Sequence, residues 1–277
     1  MKNEAQDDEL RFQFGKNWQR FLRLLNEERI NEAERSLNQV FPEDHLPGRT
    51  FLDIGSGSGL FSLAAMRLGT AKVHSFDFDQ QSVECTHELK KRFYPDNHSW
   101  IVEKGDILDL DYIKKLGKWD IVYSYGVLHH TGNMWQALDN VACLVEPGGT
   151  LFLAIYNDQG RPSRIWARVK KMYNRMPRNL RFIILFPAFV ILWWPIFRED
   201  LIAGRPFHTW LTYPKNRGMS PWEDVVDWVG GYPFEYAKPE KIFSFLHERG
   251  FQLEYLVTAD SGGSTNNQYT FSLPDQG

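Results

Sequence analysis

Phe51-Leu52-Asp53-Ile54-Gly55-Ser56-Gly57-Ser58-Gly59 runs from an apolar strand into a glycine loop, and Leu60 to Leu68 directly behind it has the pattern of an amphipathic helix. A strand that turns at once into a helix opens an α/β unit. Gly55 and Gly57 accept the left-handed backbone that such a tight turn needs, and their missing side chains let a ligand press against the backbone at the helix N-terminus. Glycines also mark ordinary turns, so the loop gains its meaning from the strands downstream of it. Lys72 to Phe76 reads as a second strand ending in Asp77, about twenty residues past the loop, where a carboxylate accepts both hydroxyls of a ribose. This is the layout of a nucleotide-cofactor site.

The choice between a dinucleotide and S-adenosylmethionine turns on the loop and the next strands. The loop is G-x-G-x-G, not the G-x-G-x-x-G that brings a helix end against a pyrophosphate. Asp53 is badly placed beside phosphates but suits a methionyl ammonium, directly or through water. Trp100-Ile101-Val102-Glu103-Lys104-Gly105-Asp106-Ile107 gives a third strand with Asp106 at its end, suited to accept an adenine amino group. Trp119 to Tyr125 is a fourth strand leading to Gly126-Val127-Leu128-His129-His130, and Leu144 to Leu153 contains a fifth. Over Thr50 to Tyr156, in these four motifs, the chain resembles the class I S-adenosylmethionine-dependent methyltransferases. The resemblance implies a Rossmann-like α/β fold with a seven-stranded, mostly parallel sheet and S-adenosylmethionine as cofactor. The candidate cofactor residues are Asp53, Gly55, Gly57, Gly59, Asp77, Asp106, Ile107 and Tyr125. Each acid also has a structural use: Asp53 can cap a turn, Asp77 can begin a loop and Asp106 can cap a helix. Their shared place at C-terminal strand ends, where open α/β sheets bind ligands, favours the cofactor.

With 277 residues, of which 43% are hydrophobic, the chain can build one full α/β core with an added lid. A net charge of −3 argues against a surface that tracks phosphates, so no nucleic-acid partner is expected. The two cysteines, Cys85 and Cys143, fall in predicted helices without metal-ligand spacing. Neither a disulfide framework nor a metal site is expected, which suits a reducing compartment. Met1 to Arg11 is polar and acidic, without the apolar core of a signal peptide, and the expected location is cytoplasmic.

Residues 1–47 read as a helical cap, with Phe12, Phe14, Trp18, Phe21, Leu22, Leu25 and Ile30 at about helical spacing and a second helix over Asn31 to Val40. Phe14-Gly15-Lys16-Asn17-Trp18 sets a glycine among aromatics, which is either a flap over the site or an ordinary packing helix. Residues 48–156 form the cofactor-binding core. The ending of the fold is delayed: a helix over Pro239 to Arg249 and strands over Phe251 to Thr258 and Gln268 to Leu273 complete it within 239–277. Residues 157–238 are therefore an insertion after the fifth strand, on the substrate side. Within it, Arg161 to Arg178 is basic and Phe182 to Phe197 is an unbroken apolar run. That run holds Pro187 and Pro195 and falls short of the roughly 20 residues a membrane span needs, so a transmembrane helix is not expected. Peripheral contact with a membrane and a lid over a lipidic acceptor both fit this composition, as do a buried helix and a dimer interface. The oligomeric state is left open.

Methyl transfer to a hydroxyl needs alignment and a proton acceptor. His129 and His130 follow the fourth strand, where the methyl would lie; an imidazole there either takes the proton or anchors the loop with Thr131. Arg217 to Tyr236 is too aromatic for a solvated loop. Ser220, Pro221 and Glu223 predict a capped short helix whose Asp224 and Asp227 share one side, either facing a substrate or pairing with Arg217, Lys215 or the basic helix. Gly262 to Phe271 reads as a hairpin turn and strand in which Asn266 and Asn267 reach the substrate or only shape the turn. Together these features resemble bacterial proteins grouped with the ubiquinone-biosynthesis O-methyltransferases, which implies O-methylation of a small-molecule acceptor. Those enzymes act on lipidic phenols, and the place of this insertion after the fifth strand leaves room for a lipid-linked sugar, a surface glycan or another secondary metabolite. An NAD-dependent oxidoreductase and a non-catalytic binding module of the same fold are the alternatives.

Overall fold

The computed structural model describes residues 15–41, 45–217, 220–259 and 266–275. Phe12, Phe14, Gly218, Met219 and Gly262 to Thr265, used in the sequence reading, lie outside the described residues. The side chains of Lys215 and Arg217 do too, so their pairing with Asp224 and Asp227 is left without a structural account.

Five strands alternate with helices: β1 (Thr50–Ile54), β2 (Lys72–Asp77), β3 (Trp100–Lys104), β4 (Trp119–Tyr125) and β5 (Val145–Tyr156). Two more lie near the C-terminus, β6 (Gln252–Val257) and β7 (Asn266–Ser272). They form one sheet in the order β3-β2-β1-β4-β5-β7-β6. β1 pairs in parallel with both β2 and β4, while β7 runs antiparallel to β5 and β6. The chain order thus reverses between β1 and β4, the switch point at which such sheets leave a crevice beyond the strand ends.

Both faces of the sheet are covered, which is why the strands read as nearly continuous apolar runs. Alternation along β1 sends Phe51 to one side and Leu52 to the other. On the Phe51 side lie α1 (Gly15–Arg23), α2 (Glu27–Val40), α3 (Leu60–Arg67) and α4 (Gln80–Phe93), with Ile30, Leu37, Leu63 and Leu89 buried against Trp100 and Ile121. The Leu52 side is closed by α5 (Leu110–Leu116), α6 (Met134–Cys143) and a late helix, α11 (Pro239–His247), through Leu138, Val141, Ile242 and Leu246.

Between β5 and α11 come α7 (Arg161–Arg175), α8 (Phe182–Ile202), α9 (His208–Arg217) and α10 (Pro221–Gly230). They share their own small core of Tyr173, Leu185, Trp193, Val225 and Val229. α10 starts with the expected capping box: the Ser220 hydroxyl accepts the Glu223 N–H, and the Glu223 carboxylate accepts the Ser220 N–H. α8 differs from the sequence reading. It runs unbroken through Pro187 and Pro195 for 21 residues, about 30 Å at 1.5 Å per residue. Both prolines are exposed. By length and composition the helix is sufficient to cross a membrane, which corrects the expectation that the apolar run is too short for a span. Ile184, Leu185, Ala188 and Trp193 bury one face of it, and the other is open.

Candidate functional site

Beyond the ends of β1, β2 and β4 lies a cleft of about 730 Å3, roofed by α1 on one side and by α8 and α10 on the other. The glycine loop forms its floor. At Gly55, with φ +74°, an added Cβ would stand 2.3 Å from Val127 Cγ2, so the loop and the segment after β4 meet here at a distance only glycine permits. Gly57, with φ +56°, lies under the Trp18 ring, 3.0 Å from where a Cβ would sit.

Asp77 ties the loop to the second strand. Its Oδ2 accepts the Gly57 N–H at 2.9 Å, and its Oδ1 accepts the Asp79 N–H at 2.8 Å. Asp79 in turn accepts from Gln81 N at 2.9 Å as the N-cap of α4, and from Gly15 N at 2.9 Å. A chain of hydrogen bonds therefore runs from the loop through both acids to the first residue of α1. Asp106 also faces the cleft and folds into a turn by accepting the Leu108 N–H at 2.9 Å. The cap of α5 is instead Asp109, which accepts from Asp111 N and Tyr112 N. Ile107 and Tyr125 complete this half of the wall.

Two of the expected cofactor residues stand back from the cleft wall. Asp53 is buried in β1, where it accepts the Ser62 hydroxyl; burial pushes its carboxyl up to about 7. Gly59 begins α3, and an added Cβ there would stand 2.9 Å from Thr86, so its small size serves helix packing.

The far half of the cleft belongs to the insertion. Tyr156, Trp193, Trp228 and Tyr232 give it aromatic walls, and Asp224 and Asp227 face into it from α10. Asp224 accepts the Tyr213 hydroxyl at 2.7 Å. Asp227 accepts the Asn17 side-chain amide, and burial pushes its carboxyl up to about 7, with Asp224 and Glu223 adding to the rise. Beside α1, Arg20 pairs with Glu223. Behind the wall Lys170 is fully buried; its ammonium donates to the Trp228 carbonyl and stands 4.1 Å and 4.7 Å from the Trp228 and Phe234 ring centres. Burial holds it down to about 7.

His129 and His130 part company. His130 lines the cleft with Nδ1 donating to the Pro233 carbonyl at 2.6 Å, which puts the neutral ring's lone pair on Nε2. His129, expected beside the reacting atoms, is packed beneath Tyr156 at 3.9 Å between ring centres and is 1% exposed. Its Nδ1 accepts the Tyr156 N–H at 3.2 Å, and burial holds it well below the ordinary imidazole range. It anchors the turn.

Asn17 and Trp18, in the segment read from sequence as either a flap over the site or a packing helix, line the cleft wall. An added Cβ at Gly15 would stand 2.3 Å from Gln81 Cβ, so the glycine is what lets α1 close on α4.

A methyltransferase domain model matches residues 52–151. The ubiquinone biosynthesis O-methyltransferase of Xanthomonas campestris pv. campestris is 35% identical over 123 residues, 44% of this chain and 48% of that protein. The tRNA U34 carboxymethyltransferase of Pseudoalteromonas translucida is 30% identical over 150 residues, 54% of this chain and 44% of that protein. The chain thus spans less than half the length of these curated relatives. Among solved structures, magnesium protoporphyrin IX methyltransferase from Synechocystis with bound S-adenosylhomocysteine superposes with a TM-score of 0.55 at 14% identity, covering 93% of this chain and 94% of that one. Residues 52–151 thus match a methyltransferase domain, and the seven-stranded sheet around them has the Rossmann-like fold of class I S-adenosylmethionine-dependent methyltransferases.

Proposed function

We propose that the protein binds S-adenosylmethionine at the Asp77 end of the cleft and transfers its methyl group to a hydroxyl of a small-molecule acceptor held at the Asp227 end. One observation carries this reading: a single cleft joins a ribose-type acid seated on a glycine loop to a wall of aromatics and acids supplied by the insertion. The residues fit the cofactor. Gly55 and Gly57 leave its place clear, Asp77 accepts ribose hydroxyls, Asp106 accepts the adenine amino group, and Ile107 and Phe78 offer apolar faces to a base. When bound, S-adenosylmethionine supplies an electrophilic sulfonium methyl. Asp53, behind the loop, acts through its field rather than by contact.

Asp227 is assigned as proton acceptor, because a half-buried carboxyl that faces the cleft and is poised near neutrality can take a hydroxyl proton as the oxygen gains its methyl. Asn17 orients that carboxylate, and His130 sits beside the acceptor with its orientation fixed by Pro233. The open apolar face of α8, with Phe186, Ile191 and Trp194 all exposed, supports a lipidic acceptor met at a membrane surface. Arg164, Arg168, Arg175 and Arg178 are exposed on the preceding helix and turn, and they suit anionic headgroups. The test is transfer of label from methyl-tritiated S-adenosylmethionine into the organic phase of a lipid extract. Label in the organic phase supports the reading; label confined to protein or RNA contradicts it.

A further inference from the structure

On the other side of α8 from the reaction cleft lies a second cavity, of about 440 Å3. Phe189, Val190, Trp194 and Phe197 bound it from α8, with Phe207 and Trp210 across from them. Trp193 and Ile196 line both this groove and the reaction cleft, so single side chains divide the two spaces. The groove has one charged residue, Asp200, and its carboxylate accepts Thr209 N at 2.8 Å and Thr209 Oγ1 at 2.7 Å, which commits it to the start of α9. Everything else in the groove is hydrocarbon or aromatic ring. Phe207 adopts φ 64°, a conformation a bulky residue takes only at a cost in backbone strain, and its ring meets Phe197 at 4.9 Å.

We propose that this groove is a subsite for the hydrocarbon chain of the acceptor. The chain lies along α8 between Val190 and Phe207, and its polar head enters the cleft past Trp193 and Ile196. The proposal rests on the acceptor reading above and adds to it a place and a chemistry for the tail. Adjacency across Trp193 and Ile196 is what selects the acceptor's own chain as occupant: only these side chains stand between the groove and the reaction cleft, and a second protein copy on this face would have no reason to share them. A cavity of this volume is within the roughly 300–1,000 Å3 range of small-molecule pockets, and a space whose one charged group is already committed to α9 gains most from apolar filling.

Trp193, Trp194 and Trp210 line the groove, so a brominated chain bound there quenches tryptophan fluorescence. The probe is 9,10-dibromostearate below its critical micelle concentration, without vesicles, competed by unbrominated stearate, with and without saturating S-adenosylhomocysteine. Saturable quenching that stearate reverses and S-adenosylhomocysteine leaves in place is the expected result. Val190→Phe narrows the groove from an exposed position outside the reaction cleft and should weaken the probe at least tenfold, while Val190→Ala binds as the wild type does. Linear, unsaturable quenching, or equal midpoints in Val190→Phe and the wild type with unchanged melting temperatures, overturns the proposal. So does a probe-insensitive protein that light scattering shows to be a dimer. Failure of the wild type to bind S-adenosylhomocysteine would sink the methyltransferase reading instead and leave the quenching result standing by itself.

Discussion

The side-chain amide of Asn17 on α1 donates to the carboxylate of Asp227 on α10, 210 residues further along the chain. With the neighbouring Arg20 and Glu223 pair, this contact ties α1 to α10 beside the cleft. It also bears on the chemistry, because a donor to a carboxylate favours the ionised form.

Asn17→Ala should therefore raise the Asp227 pKa above its value of about 7. The acidic, ascending limb of single-turnover methylation then shifts to higher pH, while cofactor affinity changes little. Asp227→Asn should lower the rate by about 10²–10⁴ with fold and cofactor affinity retained. His130→Gln should cost less than Asp227→Asn, and His129→Gln should mainly lower the melting temperature, since its ring is packed beneath Tyr156. A full rate in Asp227→Asn would remove the O-methylation assignment and leave the methylated atom open.

Asp53→Asn tests the buried acid of β1. The folded-state pKa, about 7, lies above the ordinary carboxylate value of 3.8, so the native state holds its proton more tightly than the unfolded chain. Stability from this group is full below about pH 4 and is lost as pH rises toward 7. The asparagine variant should therefore gain on the wild type in melting temperature between pH 5 and pH 8. A constant difference across that range would show that Asp53 is ionised throughout.

Lys170→Met probes the opposite case. A lysine held down to about 7 loses its proton in the fold while the unfolded chain keeps it up to about pH 10. The cost to stability is full below about pH 7 and disappears toward pH 10. Methionine of similar length should raise the melting temperature at pH 6–7, with the gain shrinking at higher pH. A loss at every pH would mean that the bond to the Trp228 carbonyl and the contacts with the Trp228 and Phe234 rings outweigh the buried charge.

What could be read from the sequence was local. The β1 strand with its glycine turn, Asp77 at the end of β2 and the Ser220 capping box depend on residues a few positions apart, and the structure has them where the patterns point. Asn17 meeting Asp227 was not legible, because no pattern within a segment encodes a contact across 210 positions. His129 and His130 were indistinguishable as letters. In the 3-10 turn Leu128–His130, successive side chains point about 120° apart, so one faces the cleft and the other the core. Pro187 and Pro195 suggested breaks in a helix that passes through both.

The exposed face of α8 predicts sedimentation with anionic vesicles that weakens as salt rises, through the arginines of α7 and the turn after it. Arg164→Glu combined with Arg168→Glu should abolish the salt-sensitive part. Equal recovery in the supernatant with and without vesicles at low salt would contradict membrane contact.

Everything proposed for this cleft depends on its taking S-adenosylmethionine through Asp77, and calorimetric titration reads that step by itself. Hydrogen bonds from ribose hydroxyls to a carboxylate are worth about 1.5–3 kcal/mol each. S-adenosylhomocysteine should therefore bind the wild type with one-to-one stoichiometry and Asp77→Ala at least tenfold more weakly, while Gly57→Val, which drives a branched side chain toward Trp18, should not bind it. NADH should give no heat beyond dilution. Heat from NADH but not from S-adenosylhomocysteine, or equal S-adenosylhomocysteine affinity in a folded Asp77→Ala variant, would refute the assignment.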